Sequence, residues 1–253
     1  MRYARQRLIK DYEHLDEILT GVQLSIVGCG GIGGLCSYLL AGAGVLQLKL
    51  ADGDVVEDSN LHRQILYGVS DIGKSKVQCA RRRLEELNPE VKVQCFGRID
   101  EDNFGEFAQG STLVLDLTDN VETRLLMNRM CVKYRMDFVH ASVAANHGML
   151  CAYHFSSPEF VGRYGCYECM AGADAKPAFA GITGPWADGM ACMTASLVMR
   201  LLSGEEFAGL VHLFDLKTFR NTTFRLQRDP HCHCCASAAV AAVAEGAERA
   251  EGG

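Results

Sequence analysis

The sequence predicts an α/β fold, and three observations carry that expectation. A short apolar run, Leu24-Ser-Ile-Val27, ends in a cluster of glycines. Segments of strand length then alternate with helical segments as far as Ser142, the rhythm of a parallel sheet built by crossovers. Past that point the rhythm stops, and two C-x-x-C pairs follow, Cys166/Cys169 and Cys232/Cys235. The expected architecture is a Rossmann-like sheet, with parallel strands in the N-terminal part continued by antiparallel strands, and with a four-cysteine zinc clip.

The first strand and its turn set the requirements. Leu24, Ile26 and Val27 suit a strand buried on both faces. Gly28, Gly30 and Gly33 follow with the spacing G-x-G-x-x-G. The first glycine permits a tight turn, the second lets a phosphate approach the backbone, and the third allows close helix packing. The helix that begins there, ending near Ala43-Gly44, points its N-terminal N–H groups at an anion. By themselves, the same glycines also suit a strand-to-helix turn that binds nothing.

Later elements add chemistry to this turn. Leu46 to Leu50 reads as a second strand, and it ends in Ala51-Asp52-Gly53-Asp54. An acidic residue about 20 positions past the glycines is where a ribose hydroxyl is held. Asp58 to Tyr67 is too polar for a core element. A helix is expected from Gly73 to Leu87, stopped by Asn88-Pro89, with Lys74 and Lys76 in its first turns. Cations there oppose the helix dipole by about 0.3–1 kcal/mol unless an anion sits nearby, which points Lys76 toward phosphate. After a third strand, Val91 to Phe96, the fourth, Thr112 to Leu117, delivers Thr118-Asp119-Asn120 to the end of the sheet that also carries Asp52. Asp119 is a Mg²⁺ ligand candidate and also suits the N-cap of a helix from Val121 to Arg135, two roles that can hold at once. Asp137 to Ser142 is a fifth strand; Gly148 to Phe155, Val211 to Phe214 and Thr222 to Leu226 are strand-like without crossovers. Residues 1–20 form an amphipathic arm. Ala171 to Gly189 reads as a loop, Met190 to Leu202 as a helix, and residues 236–253 as an Ala/Gly-rich disordered tail after a domain spanning 1–235.

Composition narrows the classes. The chain has 253 residues, 48% of them apolar and 22% charged, as a globular protein does, and its net charge of −6 argues against a nucleic-acid surface. No apolar run of about 18 residues exists to span a membrane, and the N-terminus lacks a signal peptide's apolar core, so a cytoplasmic protein is expected. Of twelve cysteines, most stand among apolar neighbours and read as small core residues, Cys192 included. The paired Cys166, Cys169, Cys232 and Cys235 fit tetrahedral zinc, although Cys234, His231 and His233 blur the choice of four.

With these residues assembled, the chain resembles the ThiF/MoeB/HesA family, the bacterial relatives of ubiquitin-activating enzymes, over about residues 1–235. The resemblance rests on Arg2-Tyr-Ala-Arg5-Gln6, Gly28-Cys-Gly-Gly31-Ile-Gly33, Asp52-Gly-Asp54, Ser59-Asn60-Leu-His-Arg63-Gln64, Lys76, Thr118-Asp119-Asn120 with Arg124, and both cysteine pairs. It implies adenylation: the C-terminal glycine of a small ubiquitin-fold sulfur carrier of the ThiS/MoaD type attacks the α-phosphate of ATP, giving acyl-adenylate and pyrophosphate for later sulfur transfer. In that scheme Gly28, Gly30, Gly31, Gly33, Asp52, Asp54 and Asn120 line the nucleotide. Asn60, Arg63, Gln64 and Lys76 neutralise triphosphate and transition-state charge, Asp119 binds Mg²⁺, and zinc is structural. Arg5 reaches into a partner subunit's site, which makes a homodimer the expected unit.

The loop before Gly181 is where family members that form a sulfur-linked intermediate carry a cysteine. Here Ala175-Lys-Pro-Ala-Phe-Ala180 has none, and no rhodanese-like domain follows residue 235. Sulfur is therefore expected from another protein, such as a cysteine desulfurase or rhodanese. The alternatives are an NAD-dependent oxidoreductase, which the glycine turn and Asp52 allow but the cations between Asn60 and Lys76 oppose, and an inactive carrier-binding scaffold. The specific carrier is not legible.

Overall fold

The computed structural model describes residues 2–173 and 181–236. Strands β1 (Gln23–Val27), β2 (Gln47–Ala51), β3 (Lys92–Phe96), β4 (Leu113–Asp116), β5 (Phe138–Ala144), β6 (His147–Tyr153), β7 (Leu210–Asp215) and β8 (Arg220–Arg225) form one sheet in the order β3-β2-β1-β4-β5-β6-β7-β8. The first five are parallel, and β6, β7 and β8 pair antiparallel. The mixed sheet expected from the loss of crossovers after Ser142 is what forms.

Helices cover both faces: α1 (Leu15–Thr20), α2 (Gly31–Ala43), α3 (Lys76–Leu87), α4 (Phe104–Ala108), α5 (Val121–Tyr134), α6 (Pro158–Tyr164), α7 (Tyr167–Ala171) and α8 (Gly184–Leu202). Alternation along the strands feeds two cores. Leu113 and Leu115 of β4 join α1, α2, α3 and α8 on one side, while Val114 joins α4, α5, α6 and α7 on the other. This is why Leu113, Val114 and Leu115 of β4, all buried, read as a continuous apolar run rather than an alternating one.

Several boundaries differ from the sequence expectations for physical reasons. Helix α3 begins at Lys76 rather than Gly73, because Gly73 takes a φ of +81° that no helix continues through. Helix α8 begins at Gly184, so residues 184–189 are helical rather than loop; Pro185 sits in its first turn, where the missing N–H costs nothing. Cys192 lies on the exposed face of α8, not in the core. The N-terminal arm is a 3-10 turn at Gln6–Leu8 followed by α1; Leu15 and Leu19 are buried, whereas Leu8 and Ile9 face solvent. Residues 174–180, which include the cysteine-free stretch, and the tail 237–253 lie outside the described residues.

Gly33 shows how tightly the first turn is packed. A Cβ on Gly33 would stand 1.8 Å from the Gly28 carbonyl oxygen, and one on Gly28, whose φ is +90°, would stand 2.9 Å from the Leu117 carbonyl oxygen. Gly33→Ala is expected to cost about 3 kcal/mol or more through forced backbone movement. Urea unfolding checks it: a variant within experimental error of the parent would show that the turn gives way freely.

Candidate functional site

The parallel sheet reverses direction of winding between β1 and β4, and the crevice beyond their carboxyl ends is where such folds bind ligands. Backbone bonds draw those ends together: Gly28 N–H donates to Ala51 O at 2.8 Å, and Leu117 N–H donates to Val27 O at 2.9 Å. The glycine turn, the end of β2 and the loop after β4 therefore share one rim.

Asp52 ties the turn to β2. Its Oδ2 accepts from Cys29 N–H at 2.8 Å and its Oδ1 from Asp54 N–H at 2.8 Å. One lone pair on each oxygen stays available, as contact with a ribose requires. Gly30 and Gly31 are approached by the segment Asn60–Tyr67. A Cβ on Gly30 would lie 3.6 Å from Gln64 Nε2; on Gly31 it would lie 2.9 Å from Ala187 and 3.1 Å from the Arg63 carbonyl oxygen. Tyr67 donates its hydroxyl to Cys29 O at 2.6 Å, and burial pushes its pKa up, so it remains a donor. Gln64 is buried with Oε1 lacking any protein partner. An orphaned acceptor beside a glycine turn fits a ligand donor group.

Two cations flank the turn. Lys76, buried at 6% exposure, places Nζ 3.1 Å from Asp54 Oδ2, a carboxylate that is itself well exposed. A buried ammonium needs an anion, and an exposed aspartate is one that a phosphate can supplement. Arg63 donates through Nη1 to Ser59 O at 2.9 Å and has no acidic partner among the described residues. Asn60 is buried, its Oδ1 accepting from Glu57 N–H at 3.1 Å. Sequence reasoning missed Arg98, whose Nε would stand 3.8 Å from a Cβ on Gly53, and the start of α8, which packs Gly184 and Ala187 against the His62-Arg63 backbone and Gly31. The signal for α8 was hidden by Gly184-Pro185.

Across the crevice, the helix cap of α5 is Asn120, not Asp119: Asn120 Oδ1 accepts from Thr123 N–H at 2.7 Å. Asp119 is exposed and its carboxylate has no partner among the described residues. That leaves a free hard oxygen ligand at the strand ends, which suits Mg²⁺. Arg5 is likewise exposed and unpaired among the described residues.

The thiols converge beside the middle of α5, at Asn128. Cys166, Cys169, Cys232 and Cys235 place their sulfurs within 4.8 Å of one another. Cys166 and Cys232 are 3.7 Å apart and Cys169 and Cys235 are 3.5 Å apart. Zn–S bonds of about 2.3 Å in a tetrahedron put sulfurs about 3.8 Å apart, so the cluster fits zinc, and the structure selects Cys232 and Cys235 over Cys234.

A doubly wound sheet with a glycine turn, a carboxylate at the end of β2 and two cations at the switch point defines a nucleotide-binding α/β protein. The chain belongs to the ThiF family, whose model matches residues 3–235. It is 36% identical over 243 residues to the sulfur carrier protein ThiS adenylyltransferase of Escherichia coli, covering 93% of this chain and 94% of that protein. It is 30% identical to the molybdopterin-synthase adenylyltransferase of Salmonella typhimurium, with 93% and 96% covered. Against the adenylyltransferase and sulfurtransferase MOCS3 of Drosophila yakuba, 34% identical, the chain spans only 53% of the relative's length. The crystal structure of E. coli MccB with ATP superposes with a TM-score of 0.78 over 93% of this chain and 75% of that one at 22% identity, a likeness of fold. No helix among the described residues is long and apolar enough to cross a membrane.

Zinc occupancy separates the thiols. Protein purified without chelator is expected to hold one zinc per chain; Cys232→Ser should lose it, and Cys234→Ser should keep it. Structural zinc contributes on the order of 10 kcal/mol, so the first variant should also melt far lower. Zinc lost from Cys234→Ser but kept by Cys232→Ser would reassign the ligands.

Proposed function

We propose that this protein adenylates the C-terminal glycine of a small ubiquitin-fold sulfur carrier, using ATP with Mg²⁺ as cofactor. The observation that carries the proposal is the convergence of Lys76, Arg63, Gln64 and Asp52 on the glycine turn at the β1/β4 junction. A bridging pyrophosphate needs few cations, whereas a reacting triphosphate needs several. The names of adenylyltransferases similar to this chain support the same activity.

In the reaction the carrier's carboxylate attacks the α-phosphorus, the bond to the bridging oxygen breaks, and pyrophosphate leaves. Asp52 would hold the ribose, with Asp54 beside it. Gly28, Gly30, Gly31 and Gly33 would admit the phosphates to the backbone at the start of α2, and Asn120 would line the rim opposite. Lys76, Arg63 and Asn60 would meet the charge that develops on the phosphates, and Gln64 would donate its free amide hydrogens or accept through its orphaned Oε1. Asp119 would hold Mg²⁺, which would supply neutralisation of phosphate charge. Such chemistry depends on positioning and electrostatics rather than on a nucleophilic side chain.

The same reading takes residues 1–235 as the adenylation domain, in accord with the family match, and the active unit as a homodimer. Supporting the dimer are the unpaired Arg5 and the solvent-facing Leu8 and Ile9 three and four residues after it. Sulfur would come from a separate donor, and the reducing cytoplasm is the compartment in which a thiolate clip of this kind persists.

Pyrophosphate exchange with ATP is expected only when a carrier ending in Gly-Gly is supplied. Asp119→Ala should lower exchange about a hundredfold, the scale of losing one electrostatic stabiliser; full exchange in the presence of Mg²⁺ would refute the metal assignment. Arg5→Ala and Arg63→Ala proteins, each inactive alone, should regain activity when mixed, because one hybrid site is intact. Absence of rescue in verified mixed dimers would confine the site to one subunit.

A further inference from the structure

A buried polar network joins the thiol cluster to the strand ends, and neither the cluster nor the glycine turn accounts for it. Its hub is Asp116, the last residue of β4, fully buried. Oδ1 accepts from the Thr118 hydroxyl at 2.6 Å and from Thr118 N–H at 3.2 Å. Oδ2 lies 2.9 Å from Nδ1 of the equally buried His140 and 3.8 Å from Arg124 Nε. A carboxylate only accepts, so Nδ1 carries the proton, and burial holds the imidazole toward its neutral form. Arg124 reaches both ways from the first turn of α5: Nη2 donates to Thr118 O at 3.4 Å, and Nη1 donates to the Tyr167 hydroxyl at 3.3 Å.

Tyr167 directly follows the ligand Cys166 and opens α7. Its N–H donates to Asn128 Oδ1 at 3.0 Å, and Asn128 Nδ2 in turn faces the sulfurs of Cys166 and Cys234 at 3.5 and 3.3 Å. A five-residue helix has no stability of its own, so its place depends on the clip and on these bonds. Two atoms of the network, Arg124 Nε and His140 Nε2, are buried without a hydrogen-bond partner among the described residues. Partly satisfied buried networks are sensitive to small displacements, since each remaining bond has no substitute.

We infer that the thiol clip, acting through Tyr167 and Arg124, sets the position of the Thr118–Asp119 turn, so that Tyr167 and Arg124 are positioning residues for the metal-binding rim of the site. This rests on the proposed role of Asp119 only for its effect on activity; the physical coupling stands apart from it.

Tyr167→Phe tests it, because the ring that packs against Arg124 and His140 is kept and only the hydroxyl is removed. Amide hydrogen exchange at Thr118 should quicken about fivefold, the equivalent of one ordinary hydrogen bond, while zinc stays at one per chain. Arg124→Lys, which keeps the charge but loses the fork, should do the same. Removing zinc from the parent protein should loosen Thr118 in the same direction, and the Mg²⁺ concentration for half-maximal pyrophosphate exchange should rise several-fold in Tyr167→Phe. Unchanged Thr118 exchange in a zinc-loaded Tyr167→Phe protein would overturn the coupling, as would loss of zinc from that variant, which would make the hydroxyl a support of the clip instead. A parent protein without exchange activity would refute adenylation while leaving the amide measurement to decide the coupling.

Discussion

The close backbone contact between Gly28 and Gly33 is the constraint on which the other features depend. It lets α2 start hard against the end of β1, with the Gly28 carbonyl where any side chain on Gly33 would stand. Once that contact is made, α2 starts at Gly31 with no side chain capping its first N–H groups. Asp52 then accepts from Cys29, Tyr67 closes on the Cys29 carbonyl, and Leu117 lies over Gly28. Backbone from β1, β2 and β4 becomes a single rim.

Charge is arranged around that rim with little neutralisation by the protein itself. Lys76 is buried against one exposed aspartate, Arg63 finds only carbonyl and imidazole partners, and Asp119 is left free because Asn120 takes the cap. Elsewhere the chain pairs its ions with more care: buried Asp71 is met by Arg82 and Arg83, and Asp16 by Arg7. Arg63 and Asp119 thus lack ionic partners among the described residues, as the proposed binding of ATP with Mg²⁺ requires.

The antiparallel half serves a different purpose. Strands β6, β7 and β8 extend the sheet away from the crevice, and the segment after β8 returns Cys232 and Cys235 to meet Cys166 and Cys169 beside α5. The clip thus fastens the chain's last described segment to the same helix whose first turn borders the site. A metal position that looks remote in sequence is only a few side chains from the Thr118 carbonyl.

Much of this was determined by the sequence alone. The glycine spacing, the β-prone runs, the acidic residue after β2 and the paired cysteines each demand a local geometry that few other folds provide, so the sheet, the turn and the metal clip were legible. Residue patterns also placed Lys76 and Asp119 near the strand ends. What the tertiary structure decided was partnership: Asn120 rather than Asp119 as the cap, Cys232 rather than Cys234 in the cluster, and Cys192 on the outside of α8. It also revealed the path Asp116–Arg124–Tyr167, in which Asp116 and Tyr167 belong to no motif and Arg124 was read only alongside Thr118-Asp119-Asn120. Local propensity reads neighbours within a few residues, whereas hydrogen bonds and exposure depend on which distant segments the folded chain brings into contact.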